Sequence, residues 1–554
     1  MTSKNQDFLQ PLPLPRPADS TAGVDGSFRP DTWHGLAADP PRAAKYAFAL
    51  FLAAPLLWML VYFLPPLNHD AAALLHFSQR WLAGERLYVD LIDVNPPLVF
   101  ILNLAPAAMA RLAPISAPAA LMLCVLAWVA CGFLLSWRLL RTAPGSVGAV
   151  HRYVFPPLFL FLMIAYPGSE FGQREHLMLV TLLPYLLLAQ ARLEGRGTAR
   201  GLLRATAFFA AVGFALKPHF LLIPLLVEGL VIVSRGIVPG LRRSLQDPVP
   251  WTLALFFACY AAFVLLVTPA YLGSVVPLAM GNYWDLGGLG PWGVLFKSDL
   301  TRSAAVLLLL AGVAVAVRRP LSRLVAVAGI AAAIIAMVQG KGWPYHLLPA
   351  ETLVLLLGAS LLCEWLDLRV PSVQERRSLS LPVIMVAFMI GAYALCFLTQ
   401  PTFWRQSGFE RSPAGQLLQR FGKQAAQGPM LVLSPGIYPH FPLVNYAGSK
   451  MAMRFMSLWP IQGAYATCLP DGRMFRNPVE MGPAEAFAYK AVAEDFNRYQ
   501  PQLVIVDKEP GIPICAGQDF DYLAYFRRNP LFEANWHRYR LLSEYDRYRI
   551  YVRR

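Results

Sequence analysis

Charge is what this 554-residue chain has little of: only 15% of its residues are Asp, Glu, Lys or Arg, against 56% hydrophobic ones. With a mean hydropathy of +0.46, that balance excludes a soluble globular protein. Also missing is a Gly-rich phosphate loop of the P-loop or dinucleotide kind, which argues against a nucleotide at the reactive centre. No Cys/His spacing matches a zinc site. No internal repeat is evident, although many transporters are built from repeated halves. The first 44 residues lack an apolar core followed by a small-residue cleavage site, so the first apolar run reads as an uncleaved anchor.

Long apolar stretches are abundant. They recur near 46–66, 117–137, 153–167, 177–191, 203–217, 219–234, 250–270, 302–317, 321–338, 345–363 and 380–398. About 20 helical residues cross ~30 Å of hydrocarbon, so the pattern predicts a polytopic α-helical membrane protein with roughly eleven full crossings. Residues 98–113, interrupted by Asn103 and Pro106, read instead as a partly inserted helix, with a complete crossing compensated elsewhere as the alternative. Backbone at that depth needs protein neighbours to satisfy it.

A net charge of +15 would suit nucleic acid, but its distribution points elsewhere. The arginines collect as Arg138, Arg141 and Arg152; Arg192, Arg196, Arg200 and Arg204; Arg235, Arg242 and Arg243; Arg318, Arg319 and Arg323; and Arg369, Arg376 and Arg377, each group between two apolar runs. The positive-inside rule makes these loops cytoplasmic. The loops carrying 69–93, 168–176, 217–219, 271–299 and 340–346 then share the outer face. The N-terminus is expected inside and the C-terminus outside, in the plasma (inner) membrane, with the lipid bilayer and not nucleic acid as surroundings.

Three regions follow. Residues 1–44 are rich in Pro, Ser and Asp and read as a disordered cytoplasmic tail. Residues 45–399 form the membrane part. Residues 400–554 are mixed in polarity, with strand-like 429–434 and 502–507 and a helical 483–499 between them, and predict a small α/β domain on the outer, periplasmic side. Five cysteines lie in apolar runs as small core residues. Cys468 and Cys515 lie in the outer domain, where an oxidising compartment would allow them to pair if their geometry permits.

The chemistry-bearing residues belong to the outer loops. Asp70, beside His69, follows the first apolar run and opens a helix; either Asp70 or Asn68 caps that helix, or Asp70 is a general base, and both roles can coexist. Asp90 and Asp93 flank a turn behind Tyr88, either as local turn formers or as metal or acceptor ligands. A divalent metal, if one is used, would draw on Asp70, Asp90, Asp93 and His69. The loop 166–176 places Glu170, Arg174, Glu175 and His176 close together; Arg174 either clamps a phosphate or pairs with a neighbouring glutamate at the interface. Lys217 and His219 interrupt two helices, and Lys341, Tyr345 and His346 combine a cation with aromatics that also suit an interfacial belt. Each lysine is a candidate for a lipid phosphate.

An Asp just after the first helix, then Gly84-Glu85-Arg86-Leu87-Tyr88-Val89-Asp90 and Asn95-Pro96-Pro97-Leu98, resembles the polytopic GT-C superfamily: protein O-mannosyltransferases, the lipid A aminoarabinose transferase and related enzymes of the glycosyltransferase-39 type. The resemblance covers roughly residues 46–235. It implies a polyprenyl-phosphate sugar donor, Asp70 as base, and Asp90 with Pro96-Pro97 in the loop shaping the acceptor and donor pocket. It also implies an envelope glycan, lipid or protein as acceptor. Members commonly carry Asp-Glu where this chain has Asp70-Ala71, so the second carboxylate has no counterpart at that position. A lipid-linked saccharide flippase, a glycan ligase and a non-catalytic assembly subunit are the rival readings.

Overall fold

The computed structural model describes residues 42–62, 67–141, 149–284, 286–369, 380–399 and 406–554. The tail expected over residues 1–44 therefore falls, up to residue 41, outside the described residues, as do Arg376 and Arg377. The membrane part consists of helices α1 (Arg42–Tyr62), α2 (His69–Leu82), α3 (Pro97–Leu112), α4 (Ala117–Arg141), α5 (Ala149–Leu160), α6 (Arg174–Leu193), α7 (Arg200–Phe214), α8 (Leu222–Ser234), α9 (Ile237–Gln246), α10 (Pro248–Leu266), α11 (Val276–Asn282), α12 (Gly290–Lys297), α13 (Leu300–Val317), α14 (Pro320–Gln339), α15 (Pro344–Arg369) and α16 (Ser380–Thr399).

Among the described residues, six helices are long and apolar enough to cross a membrane: α4, α6, α10, α13, α14 and α15. The stretch Pro218–Ser234 and α9, bent by 120°, qualify together as a seventh. Several expected runs give shorter helices. Those of 15 and 13 residues in α7 and α8 span only about 20 Å, a length that a full crossing accommodates by local thinning of the bilayer. The run at 98–113 becomes the 16-residue α3, packed against α2 and α4.

Helix α6 is the axis of the bundle. It is hydrophobic on every face, and 94% of its span is buried against neighbours that include α4, α7, α14 and α15, as expected of a helix without a polar stripe. Small residues let those neighbours close in: a methyl group on Gly213 would lie 1.9 Å from Thr181 Oγ1, and one on Gly132 would lie 2.7 Å from the Val180 carbonyl. Such contacts carry packing where lipid supplies no hydrophobic drive. Over about 30 Å, α6 links the loop at Arg174 to the arginine-rich end at Arg192.

The outer domain holds a four-stranded sheet in the order β1 (Met430–Leu433), β2 (Leu503–Asp507), β4 (Tyr548–Arg553), β3 (Tyr539–Tyr545). β1 and β2 run parallel with Met430 opposite Leu503, and the helix Pro483–Tyr499 lies in the crossover between them. Every residue of both strands is buried, which is why each reads as an uninterrupted apolar run. Cys468 and Cys515 form a disulfide with a Cα–Cα distance of 5.5 Å.

This domain grips α2. Leu67 N donates to Tyr446 Oη, Asn445 Nδ2 to the Ala72 carbonyl, Met451 N to His76 Nε2, and Arg80 Nη1 to the Met453 carbonyl. Ile92 N donates to the Arg454 carbonyl at 2.7 Å. Lys450 and Glu85 add an ion pair at 2.5 Å. The helix bearing Asp70 is thus clamped between the bundle and the outer domain.

Candidate active site

The first turn of α2 settles which residue caps it. Asn68 Oδ1 accepts from Asp70 N at 2.9 Å and from Ala71 N at 3.5 Å, satisfying two donors that a helix start leaves open. The Asp70 carboxylate is therefore left for other contacts. Its Oδ2 accepts from Gln173 Nε2 at 3.1 Å and lies 3.6 Å from Arg174 Nη2. Its Oδ1 lies 3.5 Å from His69 Nε2. Burial alone would raise the Asp70 pKa, but His69, Arg174, the Gln173 hydrogen bond and Lys217 together hold it below the ordinary value, so the group is ionised at neutral pH.

The loop between α5 and α6 supplies the other wall. Gln173 Nε2 also donates to Asn68 Oδ1 at 2.8 Å, and Asn68 Nδ2 donates to Glu170 Oε2 at 3.2 Å. Ser169 Oγ donates to Glu170 Oε1 at 2.7 Å. Burial pushes Glu170 up to about 7, so it is a largely neutral carboxyl at mildly acidic pH. His176 is used internally: Gly172 N donates to its Nδ1, and Nε2 meets the Met163 carbonyl at 2.8 Å.

Arg174, Lys217 and Lys341 stand at the same end of the bundle but differ in how far they are committed. Lys217 Nζ is held by Glu175 at 2.5 Å and by Gln339 Oε1 at 2.9 Å. Lys341 Nζ donates to the carbonyls of Tyr283 and Leu286, both at 2.9 Å, and sits 4.0 Å from the centre of the Tyr283 ring; it pins the loop after α11. Arg174 makes its ion pair to Asp70 and has its Nε buried without a hydrogen-bond partner among the described residues. The Tyr345 ring lies 5.8 Å from the Arg174 guanidinium and 5.1 Å from Lys217 Nζ, in cation–π range. His346 packs on Tyr345 and Trp343, with a buried Nδ1 that also lacks a partner. His219 lies in the short turn Pro218–Leu221 that follows Lys217.

The loop before α3 divides its carboxylates. Asp93 is buried, and its Oδ1 accepts from Asn95 N at 2.9 Å and Asn95 Nδ2 at 2.7 Å, an Asx turn. Burial raises its pKa. Tyr88, left-handed at φ 66°, donates its hydroxyl to the Asn95 carbonyl at 2.6 Å and packs on Tyr271; it braces the turn. Asp90 stays outside the cluster: its Oδ2 accepts from Arg86 N and Arg86 Nε, both at 3.0 Å, on the surface. Among the described residues, no three of His, Cys, Asp and Glu are grouped as metal ligands, so Asp70, Asp90, Asp93 and His69 are not gathered around one point.

Two members were not singled out from sequence. Gln173 lay within the charged loop without a charge of its own, and Tyr283 sat in a long loop with no motif. No family model matches the chain, and no curated protein does. Among solved structures, it is similar to ArnT from Cupriavidus metallidurans bound to undecaprenyl phosphate, with a TM-score of 0.52 and 13% identity over 91% of this chain and 97% of that one. The apo state of the same protein gives 0.50 and 15% identity over 92% and 98%. At these identities the likeness is one of architecture: the chain has the fold of that protein along nearly its whole length.

Proposed function

We propose that this chain is a multi-pass membrane glycosyltransferase that moves a sugar from a polyprenyl-phosphate carrier to a hydroxyl of an envelope glycan, lipid or protein. The observation that carries the reading is Asp70 relieved of capping by Asn68, beside an Arg174 with an unpartnered buried nitrogen. It stands on a fold shared with a protein whose solved structure holds undecaprenyl phosphate. The arginine distribution supports a cytoplasmic N-terminus and a periplasmic outer domain, in the inner membrane.

In the proposed step, Asp70 accepts the proton of the acceptor hydroxyl while that oxygen attacks the anomeric carbon. The bond from this carbon to the phosphate oxygen breaks, its electron pair leaves with polyprenyl phosphate, and the configuration inverts. Arg174 stabilises the departing phosphate. Arg174 is also one of the groups that hold the Asp70 pKa down, so an anion on Arg174 offsets that influence and makes Asp70 a better base when donor is present. Lys217 and Lys341, engaged with Glu175 and with backbone carbonyls, shape the pocket and contribute field.

The test presents purified protein in vesicles with radiolabelled polyprenyl-phosphate sugars and membrane acceptors, wild type beside Asp70→Asn. Transfer that vanishes in Asp70→Asn is expected. Undiminished transfer in that variant would remove Asp70 from the reaction, and lipid-linked saccharide crossing the bilayer without transfer would make the protein a flippase.

A further inference from the structure

A second feature lies at the far end of the bundle and does not depend on the catalytic reading. Between the last turns of α4 and the first turns of α7 is a hollow of about 520 Å³, lined among others by Leu135, Trp137, Arg138, Arg141, Gly201 and Leu202. Its size falls in the range of small-molecule sites, yet its walls are apolar. Its only charged lining residues are Arg138 and Arg141. Gly201 borders open space, since a methyl group there would meet nothing within 4 Å, so a larger side chain at this position has room to enter the hollow.

The two arginines differ from others at this end of the molecule. Arg192 is bound to Glu228 and Asp247, and Arg196 to Glu194. Arg138 and Arg141 are exposed, and among the described residues neither faces a carboxylate partner. The Arg141 guanidinium lies 4.5 Å from the centre of the Trp137 ring, a contact that orients the cation without consuming its in-plane N–H donors. Arg200 and Arg204 are exposed on the neighbouring α7. By the arginine distribution, the hollow opens at the cytoplasmic border of the bilayer, where lipid phosphates and the first methylenes of their chains meet protein.

We propose that this hollow is a binding site for an anionic glycerophospholipid. The phosphate rests on Arg138 and Arg141, and an acyl chain lies along Leu135 and Leu202. An apolar wall ending in two unpaired cations complements that amphiphile, as basic pockets between helices do at this face. A zwitterionic lipid brings its own cation to the same arginines and is held less well. Soluble glycerol phosphate has the anion but no chain for the wall.

The experiment reconstitutes the full chain in nanodiscs of phosphatidylcholine mixed with phosphatidylglycerol, extracts it, and counts retained lipids by native mass spectrometry. Wild type should retain phosphatidylglycerol about thirtyfold above its bulk share, from two arginines at the surface. Arg138→Ala with Arg141→Ala should abolish that enrichment while leaving phosphatidylcholine retention unchanged. Gly201→Leu keeps both arginines, fills the hollow, and should also abolish it. No enrichment in wild type, or enrichment persisting in the double variant, overturns the site. Enrichment persisting in Gly201→Leu also overturns it, because diffuse surface attraction then explains the result, and so does equal competition by glycerol phosphate.

Discussion

Helix α6 carries a buried arginine at each end, and the two are used in opposite ways. Arg192 is complete: Nε donates to Asp247 at 2.6 Å, Nη1 and Nη2 donate to Glu228 at 2.6 and 2.8 Å, and Tyr185 adds a hydrogen bond to the same glutamate. Arg174, equally buried, has among the described residues one ion pair at 3.6 Å and an Nε with no partner. A buried cation usually has every donor satisfied, because desolvating it is costly. The finished network ties α6, α8 and the start of α10 together at the arginine-rich end of the bundle. The unfinished one stands beside Asp70, where a ligand would complete it.

The sharpest way to break this contrast is to replace each arginine by methionine. Arg174→Met should lower kcat/KM for transfer about a hundredfold, the scale of losing one well-placed donor to a developing anion, with a smaller loss of thermal stability than Arg192→Met, because Asp70 keeps Gln173 as a partner. Arg192→Met should leave activity per folded molecule intact while destabilising the protein by about 3–5 kcal/mol, since Glu228 and Asp247 lose their buried partner. Thermal melts and transfer rates on both variants decide it, and equal effects on the two readouts would erase the distinction.

The neutral neighbour of Asp70 gives a smaller effect with a definite sign. Burial raises Glu170 to about 7 from the ordinary glutamate value of 4.5, so between those values the folded protein binds a proton that the unfolded chain has released. Stability from this group is therefore full below about pH 4.5 and is lost as pH rises through about 7, by on the order of 3 kcal/mol. Glu170→Gln should flatten that part of the Tm–pH curve. A curve with the wild-type slope in Glu170→Gln would assign the pH dependence to another group.

Gln173→Ala should have the mildest effect, less than about tenfold in kcat, because it removes one neutral hydrogen bond from the base. That bond helps to lower the Asp70 pKa, so without it the acid limb of the pH–rate profile should move to higher pH. An unmoved limb would mean that Gln173 serves Asn68 alone.

How much was legible in the sequence follows the physics of each signal. Apolar runs and arginine clusters gave the membrane part and its two ends, because both depend on composition over many residues. β1 and β2 were readable as buried strands. The hairpin of β3 and β4 was not, since its strands alternate polar and aromatic residues with little apolar continuity. Asp70, Arg174, Lys217, Tyr345 and His346 were named from sequence and stand in one cluster. Asp90 was named with them but lies outside it, because Arg86 four residues earlier captures it locally. Which cation is already paired could not be read at all: the partners of Lys217 lie 42 and 122 residues away.

The most direct test of the account is binding of polyprenyl phosphate itself, without sugar or acceptor, to wild type, Arg174→Met, Arg192→Met and Asp70→Asn in detergent, read by native mass spectrometry. Wild type, Asp70→Asn and folded Arg192→Met should bind it, while Arg174→Met should not. If Arg174→Met binds polyprenyl phosphate as wild type does, the open arginine is not the phosphate site and the contrast between the two ends of α6 has no functional meaning.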